Sequence, residues 1–481
     1  MAYISIEEKR ERQNSYFRGE NMNIKLIAPD MRWESAISSA EFHKVEKANL
    51  PLLAALTPPG HAIKIVDESF APDNLDEDAD LVGITVMTDL VPRAYRIAED
   101  YRSRGAKVVM GGIHPTILPE EALRHADAVV VGEGETLWPR LVNDAAAGRL
   151  QPIYRSAAWT DLSTLPMPRR DLYPHSVGRS YTPTATGIET ARGCPFDCEF
   201  CSTTHVLGKK FRARPVREVI RELESIPNRN LFFVDDALGL DRDVARQLFS
   251  EMIPLQKLWI GQGTASLAED PRLLRLMKQS GCMGLLIGFE SLDKNVRERM
   301  RKFHSLKIEG AEAVRRFHGE GISILGAFVF GFDDEDKSVF EKTAEFVIKN
   351  KVEALQLREL CPFPGTRLYE RLLAEGRLLD PEWWLKGYPP GTLLYRLKGM
   401  STEEFMEGFN RMVKQLFSLG SIFNRFFGVK LWRRSGLALA LYTGINLGQR
   451  RRYFEAMKIS QPVLKTERPA KMRKKYLGIS S

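Results

Sequence analysis

Three of the five cysteines in this 481-residue chain fall within eight positions: Cys194, Cys198 and Cys201. The other two, Cys282 and Cys361, stand alone. An odd and sparse cysteine count argues against a disulfide framework. Three thiolates spaced by three and two intervening residues on one loop can converge on a metal centre. A structural zinc site wants four ligands, and only His205 stands nearby as a fourth. Three cysteines instead suit an iron–sulfur cluster with one iron left open to a substrate. The alternative is a set of buried structural thiols, which so tight a grouping disfavours.

The elements around the cysteines must position them. Strand signals recur at 187–191, 231–235, 258–263, 284–290, 323–330 and 354–360, with Arg- and Glu-rich helices between them. Six such units read as a partial or complete βα barrel, with its chemistry at the carboxyl ends of the strands. The cysteine run follows the first of them. An earlier series at 23–28, 63–66, 81–86, 107–110 and 128–131, with a helix at 91–103, reads as a Rossmann-like doubly wound parallel sheet. Its strand ends carry Thr85 to Thr88, Gly111-Gly112-Ile113-His114-Pro115 and Gly132-Glu133-Gly134-Glu135. Glycines there admit a bulky ligand or simply make tight turns. The fold class is therefore α/β with a helical end. The expected domains are a polar helical extension at 1–21, the Rossmann-like domain at 22–155, a Pro-rich linker at 156–183, the barrel at 184–385 and a helical region at 386–481 with a basic tail.

Composition excludes wholesale disorder and a multi-span membrane protein: 43% of residues are apolar and 27% charged. The charged N-terminus has no apolar signal core, so a cytoplasmic protein is expected. The net charge is +8. From Arg425 onward there are 14 Lys or Arg and two acids, while residues 1–424 hold 56 basic and 60 acidic residues. The basic character thus reads as a C-terminal appendage, separable from the chemistry, that meets anionic lipid or a partner. No nucleic acid is expected. Residues 423–453 mix aromatics, an uncharged run and flanking arginines, which reads as an interfacial segment or as a packed helix.

Cys-x-x-x-Cys-x-Phe-Cys at 194–201 resembles the signature of the radical S-adenosylmethionine superfamily. The resemblance implies a four-iron four-sulfur cluster on Cys194, Cys198 and Cys201, with Phe200 packing near S-adenosylmethionine. It further implies cleavage of that cofactor to a 5′-deoxyadenosyl radical, and an electron donor such as flavodoxin or ferredoxin. By the same resemblance, Asp235 and Asp236 hold the methionine amino group and Glu290 and Ser291 contact the ribose. Gly326 and Phe328 lie on the adenine-side strand. The segment 362–369 follows the sixth strand as in relatives.

The preceding Rossmann-like domain is similar to that of the cobalamin-binding subfamily. On this likeness Thr85, Thr88, Gly111, Gly112, His114, Pro115, Gly132, Glu133, Gly134 and Glu135 line the cobalamin. The Asp-x-His-x-x-Gly motif that supplies a lower axial histidine elsewhere is absent, and His114 reads as a turn histidine rather than its substitute. The subfamily implies methylation of an unactivated carbon of a small-molecule or lipid-like substrate. The alternatives are oxidative cyclisation or rearrangement with both cofactors, or a radical enzyme whose first domain binds no cobalamin. A methylthiolating nucleic-acid modifier would carry further cysteines before Cys194, and there are none. Cys361 reads as a small buried filler, with a hydrogen-donor role as the rival. Cys282 reads as core.

Overall fold

The computed structural model describes residues 21–30, 45–70, 77–173, 185–302, 308–388, 391–428 and 436–465. The polar helical extension expected over residues 1–21 lies outside these except for its last residue, as do the end of the linker and the tail beyond 465. Seven strands precede the linker: β1 (Asn23–Ala28), β2 (Val45–Glu46), β3 (Ala62–Asp67), β4 (Leu81–Thr85), β5 (Lys107–Gly111), β6 (Ala128–Val131) and β7 (Ile153–Arg155). Six form one parallel sheet in the order β3-β1-β4-β5-β6-β7. Near-continuous apolar runs such as Ala128–Val131, buried along their whole length, suit a sheet covered on both faces. Helix α1 (Val91–Ser103) lays Ala94, Ile97, Ala98 and Tyr101 against it.

Eight strands follow: β8 (Ala185–Ile188), β9 (Ala191–Arg192), β10 (Arg212–Ala213), β11 (Asn230–Phe233), β12 (Leu258–Gly263), β13 (Cys282–Glu290), β14 (Ser323–Phe330) and β15 (Ala354–Glu359). The second parallel sheet has the order β15-β14-β13-β12-β11-β8-β2. It is an open half-barrel of six βα strands plus one from the first domain. Gly187 lets β2 dock, because a Cβ there would lie 2.3 Å from the Glu46 carbonyl. The expected 22–155 boundary therefore contains one strand that belongs to the other sheet. Strands β9 and β10 form a separate antiparallel ribbon.

Side-chain alternation divides the half-barrel. Trp259, Ile287, Phe289, Phe328, Phe330, Leu355 and Leu357 point outward into a core shared with the helices. Ile260, Gln262, Leu286, Ala327, Val329, Gln356 and Arg358 occupy the alternate positions and face the lumen.

Three C-terminal helices, α2 (Thr402–Leu416), α3 (Leu419–Gly428) and α4 (Gly436–Lys465), cover the free edge at β15. Ser401 and Glu404 form a capping box that starts α2. Arg425, fully buried, donates to the Val352, Glu353 and Leu416 carbonyls at 2.9–3.1 Å. The Tyr453 hydroxyl accepts from Leu357 N at 2.8 Å and donates to Leu357 O at 2.9 Å. These contacts satisfy edge groups that would otherwise invite another strand. The start of the basic C-terminus is thus a structural clasp, which corrects its reading as a separable appendage.

Candidate active site

The cysteine loop is held from both sides. The β9–β10 ribbon brackets it, and Gly193 turns into it with φ +84°. A Cβ at Gly193 would sit 2.3 Å from the Lys210 carbonyl, so only glycine fits. Cys194 N donates to Gly208 O at 3.2 Å, and Cys201 N to Cys198 O at 3.2 Å. Between the cysteines, Asp197 pairs with Lys209 at 3.0 Å and Arg367 at 2.6 Å, while Glu199 pairs with Arg371 at 2.6 Å. Arg367 and Arg371 lie four apart on the helix Arg367–Ala374; in the sequence Arg367 stands out only as part of the segment 362–369, and Arg371 is not singled out. Phe200 packs edge-on against Phe332 at 6.2 Å.

All three thiols are free and half-buried, and they act electrostatically on one another. Burial pushes Cys194 up to about 11 and Cys198 up to about 12, with the Lys302 ammonium opposing both shifts. Metal ligation must therefore drive their deprotonation. Among the described residues no three such donors converge as a single-ion site requires. A cluster takes each thiolate at a separate iron, so three thiols on one loop fit a cluster better than one ion.

Lys302 is nearly fully buried and pairs with Glu290. A register shift between Gly288 and Glu290, and φ +59° at Glu290, re-aim that carboxylate. It folds over Gly288, where a Cβ would clash with Glu290 Oε1 at 2.3 Å and with Lys302 Nζ at 2.9 Å. Nothing in the sequence marked Lys302, which follows a short helix rather than a strand.

The two aspartates after β11 separate. Asp235 is buried and accepts from Thr190 N at 2.7 Å, from Ala191 N at 3.3 Å and from the Thr190 hydroxyl. Burial raises it to about 7 against those bonds. Asp236 is exposed toward the cysteines, accepts from Thr203 Oγ1 at 3.2 Å and adds to the upward shift of Cys194. Asp236, with one bond from Thr203, is therefore the acceptor that faces the cysteines, while Asp235 braces the ribbon. Ser291 is buried against Glu335, whose carboxylate also accepts from Gly331 N and Phe332 N at 2.8 and 3.2 Å. Phe328 is fully buried and stacks on Phe289 at 5.5 Å on the outer face. Gly326 shares that face, 3.0 Å from Phe328 and Val352 by its missing Cβ. The lumen positions of β14 are Ala327 and Val329, one residue out of phase with the expected pair.

At the first sheet, Glu133 accepts from Arg212 at 2.6 and 3.1 Å and from Thr160 N at 2.6 Å, with Arg192 at 3.3 Å. Burial pushes its pKa up, and these donors more than offset that, leaving it lowered. Glu135 binds Arg192 at 2.6 Å. Both acids are thus tied to the ribbon that brackets the cysteines. His114 is fully buried, with Nε2 3.1 Å from Glu121. Glu121 also accepts from Tyr95 Oη and Trp384 Nε1 at 2.8 and 2.9 Å. Pro115 is buried beside His114 in the helix Ile113–Ile117. Thr85 Oγ1 accepts from Asn49 at 3.2 Å, and Thr88 is buried. Gly112 has φ +104°, with its missing Cβ 3.0 Å from Val86 backbone. Gly111, Gly132 and Gly134 leave room instead, with nothing nearer than 3.6 Å. Met87 is 51% exposed, and Asp89 is exposed beside it within electrostatic reach of Arg358 and Cys361. Cys361 is half-buried against the interdomain core, and burial pushes its thiol up. Cys282 is fully buried core.

An α/β unit whose strand ends meet a half-barrel bearing a three-cysteine loop defines a radical enzyme with a cobalamin-type partner domain. The B12 binding domain model matches residues 49–142 and the Radical SAM superfamily model matches residues 188–347. The bacteriochlorophyllide d C-12(1)-methyltransferase of Chlorobaculum tepidum is 30% identical over 80% of this chain and 85% of its own length. The C-8(2)-methyltransferase of the same organism is 31% identical over 69% and 77%. In fold, the chain superposes on the cobalamin-dependent radical enzyme OxsB with TM-score 0.63 and 12% identity, over 94% of this chain and 81% of that one. The chain belongs to the cobalamin-binding radical S-adenosylmethionine family.

The site suits the family's cofactors. The three free thiols form a donor set that a cluster would take, and the uncrowded glycines at the first sheet's ends leave room for a broad ligand. Bound together, the cluster, S-adenosylmethionine and cobalamin supply radical hydrogen abstraction and a transferable methyl group. The chain supplies the braced loop, the Asp236, Glu290 and Lys302 charges beside it, and the inner face of the half-barrel.

Proposed function

We propose that the protein methylates an unactivated carbon of a small-molecule or lipid-like substrate held between its two sheets. One observation carries this: Cys361 and Phe363, just past the last barrel strand, pack against the core of the first sheet, so the carboxyl ends of the two sheets face one another. The substrate carbon sits there between the cysteine loop and the cobalamin face. The two methyltransferase relatives support transfer over ring closure. A low-potential protein such as flavodoxin or ferredoxin supplies the electron. Anaerobic purification with hydroxocobalamin tests the reading. Bound corrinoid, about four irons per chain and label transfer from methyl-labelled S-adenosylmethionine are expected. Iron without corrinoid would refute methylation and leave radical chemistry standing.

Cys361 fills space beside this cavity. Substitution by Ser should leave turnover and product unchanged; an altered product would make it a hydrogen donor. A peripheral membrane contact is the second part of the proposal. Leu419, Phe423 and Phe427 lie four apart on α3 and are 53%, 57% and 56% exposed. No helix among the described residues is long and apolar enough to cross a membrane. A Phe423→Ser, Phe427→Ser variant should lose co-sedimentation with anionic vesicles at low salt. Equal sedimentation of both proteins would remove the contact.

A further inference from the structure

The clasp at the barrel edge leaves a cleft of about 510 Å³, open mouth included, between β15, α2 and α4. Met406, Phe409, Val413 and Met457 make its walls largely apolar. Two guanidiniums enter it: Arg358 from the strand and Arg452 from α4. Among the described residues neither makes a hydrogen bond or an ion pair within 4.0 Å. That is unusual here, because Arg192, Arg212, Arg371 and Arg377 are all paired with carboxylates.

Two cations facing each other against apolar walls are costly unless an anion joins them. Burial and the Arg358 charge pull Arg452 below its ordinary pKa, with Glu359 opposing them only in part. Among the described residues Glu359 is the only carboxylate in the lining, so the two guanidiniums exceed it by one charge. Tyr453 cannot help, since its hydroxyl is committed to Leu357. Asn410 adds an amide. Register places Arg358 beside Val329 on the lumen face, within electrostatic reach of Asp89 and Cys361. Arg358 therefore stands on the lumen face of β15 and in the lining of the cleft at once.

We propose that Arg358 and Arg452 clamp a carboxylate of the substrate, whose apolar body runs past β15 into the lumen. The substrate class is then an amphiphile with a large apolar part and a single acidic group. A planar guanidinium fork accepts a carboxylate in two parallel hydrogen bonds, which also fixes its orientation. The inference rests on the methylase reading for the identity of the ligand as substrate.

Binding can be measured without turnover, which separates the two. Titration calorimetry of the full-length protein with dodecanoate, dodecanol and dodecyl phosphate, each below its micelle concentration, needs no variant. Dodecanoate should bind one to one and at least tenfold tighter than dodecanol. Equal affinity would overturn the clamp, and tighter binding of dodecyl phosphate would overturn its carboxylate preference. Arg452→Met should cost dodecanoate at least tenfold and leave dodecanol unchanged, with Arg452→Lys between. Undiminished dodecanoate binding by a folded, iron-replete Arg452→Met protein would also overturn it. A protein that binds dodecanoate in this pattern but transfers no label would refute the methylase reading alone.

Discussion

At the end of β6, Glu133 and Glu135 are tied to Arg192 and Arg212; at the ends of β11 and β13, Asp236 takes a bond from Thr203 and Glu290 pairs with Lys302, both beside the cysteines. Both pairs are acids at carboxyl ends of parallel strands, where ligands bind in such sheets. Their partners distinguish them. Arg192 and Arg212 belong to β9 and β10, so the first domain's acids grip the ribbon that presents the cysteine loop. Position at a strand end places a residue near the site. Whether it touches a cofactor depends on which other groups already claim it.

The largest effect should come from the loop itself. Cys198→Ala removes one of the three thiols proposed to hold the cluster, and neither Cys282 nor Cys361 lies close enough in sequence to replace it. Iron content should collapse and label transfer should fall by about a thousandfold or more, because the chemistry resides in the cofactor. Retained iron with full activity would move the cluster elsewhere and dissolve the contrast between the two sheets.

Next comes the grip between the domains. Glu133→Gln leaves two buried guanidiniums short of a carboxylate, which costs about 3 kcal/mol when a buried pair is broken. Thermal stability should drop, and iron occupancy should fall with it because the ribbon loosens. A loss of corrinoid at unchanged stability would instead make Glu133 a cobalamin contact, and the first sheet's acids would match the second's.

Much of this was legible. The parallel strands announced themselves as β-branched runs, and the cysteine spacing located the chemistry. What escaped was what depends on partners. A two-residue strand such as β2 has no periodicity to read, and it is defined by the edge it pairs with. Arg425 counts as one more charge in a basic segment, yet it is fully buried on backbone carbonyls. Lys302 gains meaning only from a chain reversal that sets it over Gly288. Asp235 and Asp236 are adjacent letters with different surroundings, because the turn after β11 buries the first against Thr190 and leaves the second beside Thr203.

That last pair gives a pH test. Asp235 titrates at about 7 in the fold, above the ordinary carboxylate range, because burial disfavours its charge. Its contribution to stability is full below about pH 4, the ordinary value for an unfolded Asp. It is lost as pH rises through about 7. Asp235→Asn keeps an acceptor for Thr190 N and carries no charge. Its stability relative to the wild type should therefore rise from pH 4 to 7 and stay level above, read from denaturant midpoints. The Michaelis constant for S-adenosylmethionine should be unchanged in Asp235→Asn and raised in Asp236→Asn. The reverse assignment would place Asp235 on the methionine ammonium.

The smallest effect should come from Phe328. Its ring sits on the outer face of β14 against Phe289 and Phe346, so it touches helices rather than the lumen. Phe328→Leu removes part of a well-packed ring cluster and should cost about 1–2 kcal/mol of stability. Binding of S-adenosylmethionine should not change, because the lumen wall at this level is made by Ala327 and Val329. Ala327→Val, adding bulk on the other face, should do the opposite and weaken cofactor binding with little change in stability. If Phe328→Leu weakened binding while melting normally, β14 would have to be turned by one residue. That would put Arg358 on the outer face as well, since it pairs with Val329, and take it off the lumen.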